Sequence, residues 1–217
     1  MTQGIKNSLS FLSVHSTRGG LAVYISSDES QLNFIVGKSF IFNIDTKKTI
    51  TEVLYPNSVY TTTYGIWYNG ITVCTRSYTI SGGFSLTGPL DTRTFVVDFL
   101  YNCKTKTYSF KNWTEVKIPG ISIYTHAQGI TKVGKCDYIL PVANYYIDPN
   151  NTNKFTKLSG GKIRIRRTKN GFKLVSYQSI NFPQSLLTVV TSAAKDAVCG
   201  VFENSNNNAG AFQAITN

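Results

Sequence analysis

Five cations crowd one short stretch of the chain, KIRIRRTK at 162–169. Successive side chains of a strand point to opposite faces, so Lys162, Arg164 and Arg166 fall on one side and Ile163 and Ile165 on the other. Arg167 and Lys169 extend the cluster toward a turn. A row of guanidinium groups suits phosphate, sulfate or carboxylate through forked hydrogen bonds, and Phe172 and Tyr177 lie close enough in sequence to add base stacking. Lys162, Arg164, Arg166, Arg167 and Lys169 are therefore the candidate anion-binding residues. The plainer alternatives are a solvated strand face or a contact with an acidic neighbouring subunit. A second group is aromatic. Tyr64, Trp67 and Tyr68 are candidate contact residues for a sugar face or a protein partner, but the recurrence of bulky residues nearby, at Tyr60 and Tyr124, speaks for packing.

Catalytic chemistry finds little support. The chain has two histidines, His15 and His126. With a carboxylate they can ligate a metal, yet no ligand spacing accompanies them, and they read as structural; no metal or cofactor is expected. No G-x-S-x-G and no cysteine–histidine signature occurs. Asp98 with Asp137 or Glu115 makes an imaginable glycosidase pair, but nothing selects it. The glycine pairs at 82–83 and 160–161 read as loops between strands, not as phosphate cradles before a helix. No catalytic residue is named and the chain is read as a non-enzyme. Asn112-Trp-Thr and Asn150-Asn-Thr fit the glycosylation pattern and matter only in a secretory pathway.

The balance of 22 Lys and Arg against 11 Asp and Glu gives a net charge of +11, which favours anionic partners. The start of the chain shows no secretory signal and no run of apolar residues approaches a membrane span. The expected setting is a reducing compartment or a virion. Of the four cysteines, Cys74, Cys136 and Cys199 follow the same recurring phrase in different repeats. Equivalent strands of different repeats sit apart, so these cysteines read as small buried hydrophobes.

The elements that position these residues repeat. The phrase SVHSTRGGLA at 13–22 returns as SVYTTTYGIW at 58–67, as SIYTHAQGIT at 122–131 and, worn, as TVVTSAAKDA at 188–197. Each copy is followed by stretches rich in β-branched and aromatic residues with polar turns, and the first three then reach a proline-bearing connection, at Pro56, Pro119 and Pro183. No helical period competes. Each repeat thus predicts a four-stranded antiparallel meander, one blade of a small, four-bladed β-propeller. The repeats span about 13–57, 58–121, 122–187 and 188–217, the last completed by residues 1–12. Pairing this N-terminal strand with the C-terminal AFQAI strand removes two exposed edges at once. The whole of 1–217 is read as a single domain; a β-sandwich or barrel is the alternative. Length differences fall in the loops between second and third strands, a rim suited to binding.

Tyr64-GIWYNG-Gly70, then RSYTISGGFS, TFVVDF and FKNWTEV, resemble a loosely described class of bacterial repeat proteins carrying T-x-x-x-G-I, Y-T-I-x-G-G-Y-S, F-L-V-D-Y and F-T-x-W units. YTHAQGITKVGKCDYILPV at 124–142 is similar to the following unit, so the resemblance spans about 58–142. It implies a propeller-like β fold, often in surface or secreted proteins, and assigns no catalytic residues. The expected function is a binding or scaffold module that contacts a protein or an anionic polymer, nucleic acid or acidic glycan, through rim loops and the basic strand. A structural component that assembles with its own copies is the second expectation, and a glycan or phosphoester hydrolase with its site at the ring axis is the third.

Overall fold

The computed structural model describes residues 10–16, 21–27, 37–43, 48–52, 60–85, 92–118, 124–127, 129–147, 155–180, 186–193, 195–204 and 209–215. Side chains are described mainly for 65–83, 93–118, 129–142, 160–180 and 195–200. Among these residues the protein is all-β, as the recurring β-branched and aromatic stretches predict, and no helix is long and apolar enough to cross a membrane.

The strands are β1 (Ser10–Ser16), β2 (Leu21–Ser27), β3 (Gly37–Asn43), β4 (Lys48–Glu52), β5 (Tyr60–Thr72), β6 (Thr75–Ser85), β7 (Thr92–Asn102) and β8 (Thr107–Glu115) in one hydrogen-bonded sheet. The other sheet holds β9 (Tyr124–Ala127), β10 (Thr131–Lys132), β11 (Asp137–Ile147), β12 (Phe155–Thr168), β13 (Gly171–Ile180), β14 (Leu186–Ala193), β15 (Ala197–Asn204) and β16 (Ala209–Ile215). Pairing between consecutive strands is antiparallel throughout. β1 to β4 and β5 to β8 form two such runs, joined by a single parallel pair, Lys38 with Thr61. In the second sheet a single pair, Lys157 with Leu186, joins the run ending at β13 to β14, β15 and β16.

Strand β7 explains where the core sits. Its sequence TFVVDFL is apolar on both faces, the mark of a strand buried on both sides. Phe95, Val97 and Phe99 pack with Tyr78, Ile80 and Tyr101 on one face, with Tyr68, Phe110 and Trp113 against them. The ring centroids of Tyr68 and Tyr78 lie 5.3 Å apart and those of Phe110 and Trp113 5.5 Å apart, tilted as aromatic quadrupoles prefer. On the other face Val96 joins Tyr138, Leu140, Val142, Ile163, Ile165 and Phe172 of the second sheet, with Trp67 at the margin. This second cluster is the seam between the sheets.

The structure corrects two expectations. The glycine pairs lie inside strands, Gly82 and Gly83 in β6 and Gly160 and Gly161 in β12. Long partners draw these segments into the ladder: Thr62 pairs Gly83, and Gly161 pairs Ser179. A Cβ on Gly161 would stand 2.4 Å from the Tyr177 ring, which crosses it from the next strand. Nor are the cysteines fully buried. Cys74, Cys103 and Cys136 are half-buried and Cys199 is exposed, all as free thiols. The first two occupy hairpin turns, and Cys136 precedes its strand. Cys199 takes the outer face of β15 beside buried Val198.

The recurring phrase also acquires a physical role. A Cβ on Gly65 would lie 2.7 Å from the backbone of Gly129 and Ile130, so the second and third copies approach at their shared glycine position. Ser81 Oγ donates to the Gly129 carbonyl at 3.0 Å and holds that approach. At the same place the phrase's own pairing with β11 slips by one residue: Ala127 faces Val142, whereas Thr131 faces Ile139.

Candidate functional site

The basic strand β12 is where the two sheets meet, and alternation sorts its cations. Ile163 and Ile165 are fully buried in the seam. Arg167 shares their parity, so it too is aimed into the seam and not along the row of Arg164 and Arg166. Asp98 waits there. It has the parity of Val96 in β7 and sits at the seam with its side chain only 8 % exposed. Arg167 Nη2 lies 2.7 Å from Asp98 Oδ1. The other carboxylate oxygen accepts from Asn112 Nδ2 at 3.0 Å.

A polar network surrounds this ion pair. Arg167 Nη2 donates to Thr79 Oγ1 at 2.7 Å and to the Tyr138 hydroxyl at 3.2 Å. The Asn69 amide spans the same two groups. With its nitrogen toward Tyr138, its oxygen accepts from Thr79 and from Arg167. The guanidinium also lies over the Phe172 ring, 5.3 Å from its centroid, and 5.7 Å from that of Tyr138, an added attraction for a partly desolvated cation. Asn112 reaches Asp98 from a left-handed backbone, φ 58°, which asparagine tolerates better than most residues. Thr114 Oγ1 donates to the Asn112 carbonyl and accepts from Phe172 N at 3.1 Å. Both polar side chains of the first glycosylation sequon are thereby engaged in the fold. The second sequon, at Asn150, lies outside the described residues.

On the opposite face of β12, Arg164 and Arg166 converge on a single carboxylate. Asp137 stands directly across from Arg166 and diagonally from Arg164. Arg166 grips it with a fork, Nε to Oδ1 at 2.7 Å and Nη2 to Oδ2 at 3.1 Å, while Arg164 Nη2 contacts Oδ2. The hydrogen bonds from Arg166 and then Arg164 hold the Asp137 carboxyl well below the usual carboxylate range, and the same bond raises Arg166. The side chains of Arg164 and Arg166 remain 42 % and 47 % exposed. Arg164 Nε is buried with no hydrogen-bond partner. Lys162 is buried and donates to the Lys195 carbonyl at 2.8 Å; burial lowers its pKa. Lys169 is exposed in the turn, and Lys173, across from Arg166, is exposed as well.

The candidate anion row is thus divided. Arg164, Arg166 and Lys169 face solvent, Arg167 is turned into the seam, and Lys162 is bound within the fold. Trp67 and Tyr68, neighbours on β5, point to opposite clusters and pack against them. The side chains of Tyr60, Tyr64, Tyr124, His15 and His126, and residues 28–36, 86–91, 148–154 and 205–208 of the variable loops, lie outside the described residues. Among the described residues no group of three or more His, Cys, Asp or Glu is placed to hold a metal ion. Asp98 and Asp137, imagined above as a carboxylate pair, are each committed to arginine. The parity of Arg167 with Ile163 and Ile165 was the available signal for its inward turn; the convergence on Asp137 needs the register between β11 and β12.

The Asp137 clamp has a pH signature. Its folded pKa is depressed, so its stabilisation is complete above the ordinary carboxylate value, ~3.9, and is lost as pH falls through the lower folded value. Thermal melts from pH 7 to pH 2 are expected to show an acid limb beginning below about pH 4, with a shallower limb in Asp137→Asn. Identical acid limbs in the two proteins would remove this assignment.

Comparison with protein-family models and with curated protein sequences finds no match.

Proposed function

We propose that this protein is a non-enzymatic binding module of the β-propeller type that recognises an anionic group through Arg164 and Arg166, with Lys169 and Lys173 beside them. The observation that carries the reading is the clamp on Asp137. It holds two half-exposed arginine side chains side by side on one strand, while one carboxylate offsets only one of their charges. Such fixed forks lose little freedom on meeting a phosphate, sulfate or carboxylate. The overall charge of +11 adds long-range attraction for the same class of partner.

The propeller part of the reading rests on the four copies of the phrase, on the four runs of antiparallel strands and on the meeting of Gly65 with Gly129. Closure by the stretch 1–12 against the last strand belongs to the same proposal, although Ser10 and Phe11 of that stretch already pair with β2 as the start of β1. The nine residues before β1 lie outside the described ones. Nucleic acid, an acidic glycan or an acidic protein surface all supply the required anion.

Binding to a heparin oligosaccharide and to a single-stranded oligonucleotide, measured by fluorescence anisotropy across a salt series, tests the proposal. The double variant Arg164→Gln/Arg166→Gln is expected to weaken binding about tenfold or more and to lower the salt slope by roughly one to two. Asp137→Asn, which keeps both cations but loosens the fork, is expected to change affinity less. Equal affinity and slope in wild type and the double variant would overturn the anionic reading.

A further inference from the structure

Two cysteines from different hairpins meet at one edge of the first sheet. Cys74 ends the turn between β5 and β6, and Cys103 opens the turn between β7 and β8. The antiparallel register of β6 and β7 ends at Thr75 opposite Asn102, which sets Cys74 opposite Cys103 one step further out. The backbone continues the ladder to that step: Cys103 N donates to the Cys74 carbonyl at 2.8 Å. The Cys103 thiol bonds the same carbonyl oxygen. Both residues are half-buried free thiols, open to a small reagent.

From this juxtaposition we infer that Cys74 and Cys103 are a redox-active pair that closes into a reversible disulfide across the two hairpins. Opposed residues of an antiparallel pair have Cα atoms about 4.5–5.5 Å apart, inside the span of about 4.4–6.8 Å that disulfides bridge. The remaining cysteines offer no such partner, since Cys136 lies in the second sheet's β10–β11 turn and Cys199 on the exposed face of β15. The neighbouring thiol and burial push the Cys74 thiol up, which disfavours the Cys74 thiolate as the opening nucleophile.

The chemistry is thiol–disulfide exchange with a low-molecular-weight disulfide such as oxidised glutathione. Cys103 loses its proton and its sulfur attacks one sulfur of the reagent. The reagent's S–S bond breaks and the first glutathione leaves as a thiolate, which takes up a proton. Cys74 then loses its proton and attacks the Cys103 sulfur of the mixed disulfide, expelling the second glutathione thiolate, which is protonated in turn. Two protein thiols are oxidised and one reagent disulfide is reduced to two thiols, so protons and electrons balance. The product fixes the β5–β6 and β7–β8 hairpins to each other beside the solvent-exposed side chains of Ile71 and Val73. A reducing thiol reopens it.

The test uses the full chain. The protein is equilibrated with millimolar oxidised glutathione, remaining thiols are alkylated under denaturing conditions, and intact mass and peptide linkage are read. The expected result is a loss of about two hydrogens relative to the reduced protein, a single Cys74–Cys103 linkage, and reversal by dithiothreitol. A rise in Tm on the order of 5–10 °C should accompany closure of that loop. Cys103→Ser should carry no internal disulfide and, where it reacts at Cys74, should stop at the glutathione adduct. Free Cys74 and Cys103 in the treated wild type, separate glutathione adducts on each, or a linkage to Cys136 or Cys199 would overturn the inference. The wild-type result decides the matter even if the variant fails to fold.

Discussion

Replacing Arg167 with methionine is expected to lower unfolding free energy by about 3 kcal/mol, near the small end of the range for breaking a buried ion pair. The reason is what the substitution leaves behind. Asp98 keeps its bond from Asn112 and a long one, 3.5 Å, from the Thr79 hydroxyl, but loses the cation 2.7 Å from Oδ1, at a seam where its side chain is 8 % exposed. Thr79 and the Tyr138 hydroxyl lose a donor in the same step. The Arg167 side chain is 32 % exposed, so part of the pair is already screened by water and the larger values are not expected. For a chain of 217 residues the loss corresponds to a fall in Tm of roughly 6–12 °C.

Two comparisons separate this account from simple loss of packing. Adding Asp98→Asn to Arg167→Met removes the orphaned charge, and the double variant is expected to recover about 1–2 kcal/mol of the loss. Arg164→Met removes a guanidinium of the same strand whose carboxylate partner keeps a second arginine, and it is expected to cost less than about 1 kcal/mol. Urea unfolding of wild type, these three variants and the single variant Asp98→Asn closes the cycle. If Arg167→Met costs no more than Arg164→Met, Arg167 is not the cation that neutralises the seam.

The contrast between those arginines shows what the sequence carries and what it does not. Alternation along KIRIRRTK separates Arg164 and Arg166 from the buried isoleucines without any structure, and carried one residue further it turns Arg167 inward. The same rule places Asp98 with Val96 and apart from Phe95, Val97 and Phe99. Local periodicity therefore contains both halves of the buried pair. It does not contain their meeting, because Arg167 and Asp98 belong to different sheets and are brought together by packing. Asp137 is harder still: its role depends on which residue of β11 faces Arg166, a register set by whole-strand pairing. The strands themselves were legible because β-branched and aromatic residues concentrate in them. Their ends were less so, since Gly82, Gly83, Gly160 and Gly161 read as loop residues until a partner strand supplies the ladder and Tyr177 covers Gly161. The cysteines failed as buried hydrophobes for a related reason. Composition sees a small apolar residue, whereas the hairpin turn decides that Cys74 and Cys103 meet at an edge.

Gly65→Ala is expected to lower stability by about 2–3 kcal/mol, at the upper part of the range for forcing extra volume into a packed site. The new methyl group would lie 2.7 Å from the carbonyl carbon and Cα of Gly129 and from the nitrogen of Ile130. All three are backbone atoms, so no side-chain rotation relieves the clash. The sheets must separate locally, and that movement strains the Ser81 bond to the Gly129 carbonyl and opens the adjoining cluster at Ile130. Gly134→Ala supplies the matched control, since its Cβ would meet only the Asp137 side chain at 3.7 Å, an ordinary contact. That change is expected to stay within about 0.5 kcal/mol of wild type. The pair of melts tests more than one contact. Gly65 and Gly129 hold the same place in two copies of the phrase, with Gly20 there in the first and Lys195 in the fourth. A large loss at Gly65 with none at Gly134 makes the repeated glycine a condition for neighbouring repeats to touch. Equal melts would show that the seam yields at little cost, and the phrase's glycine would then need a different explanation.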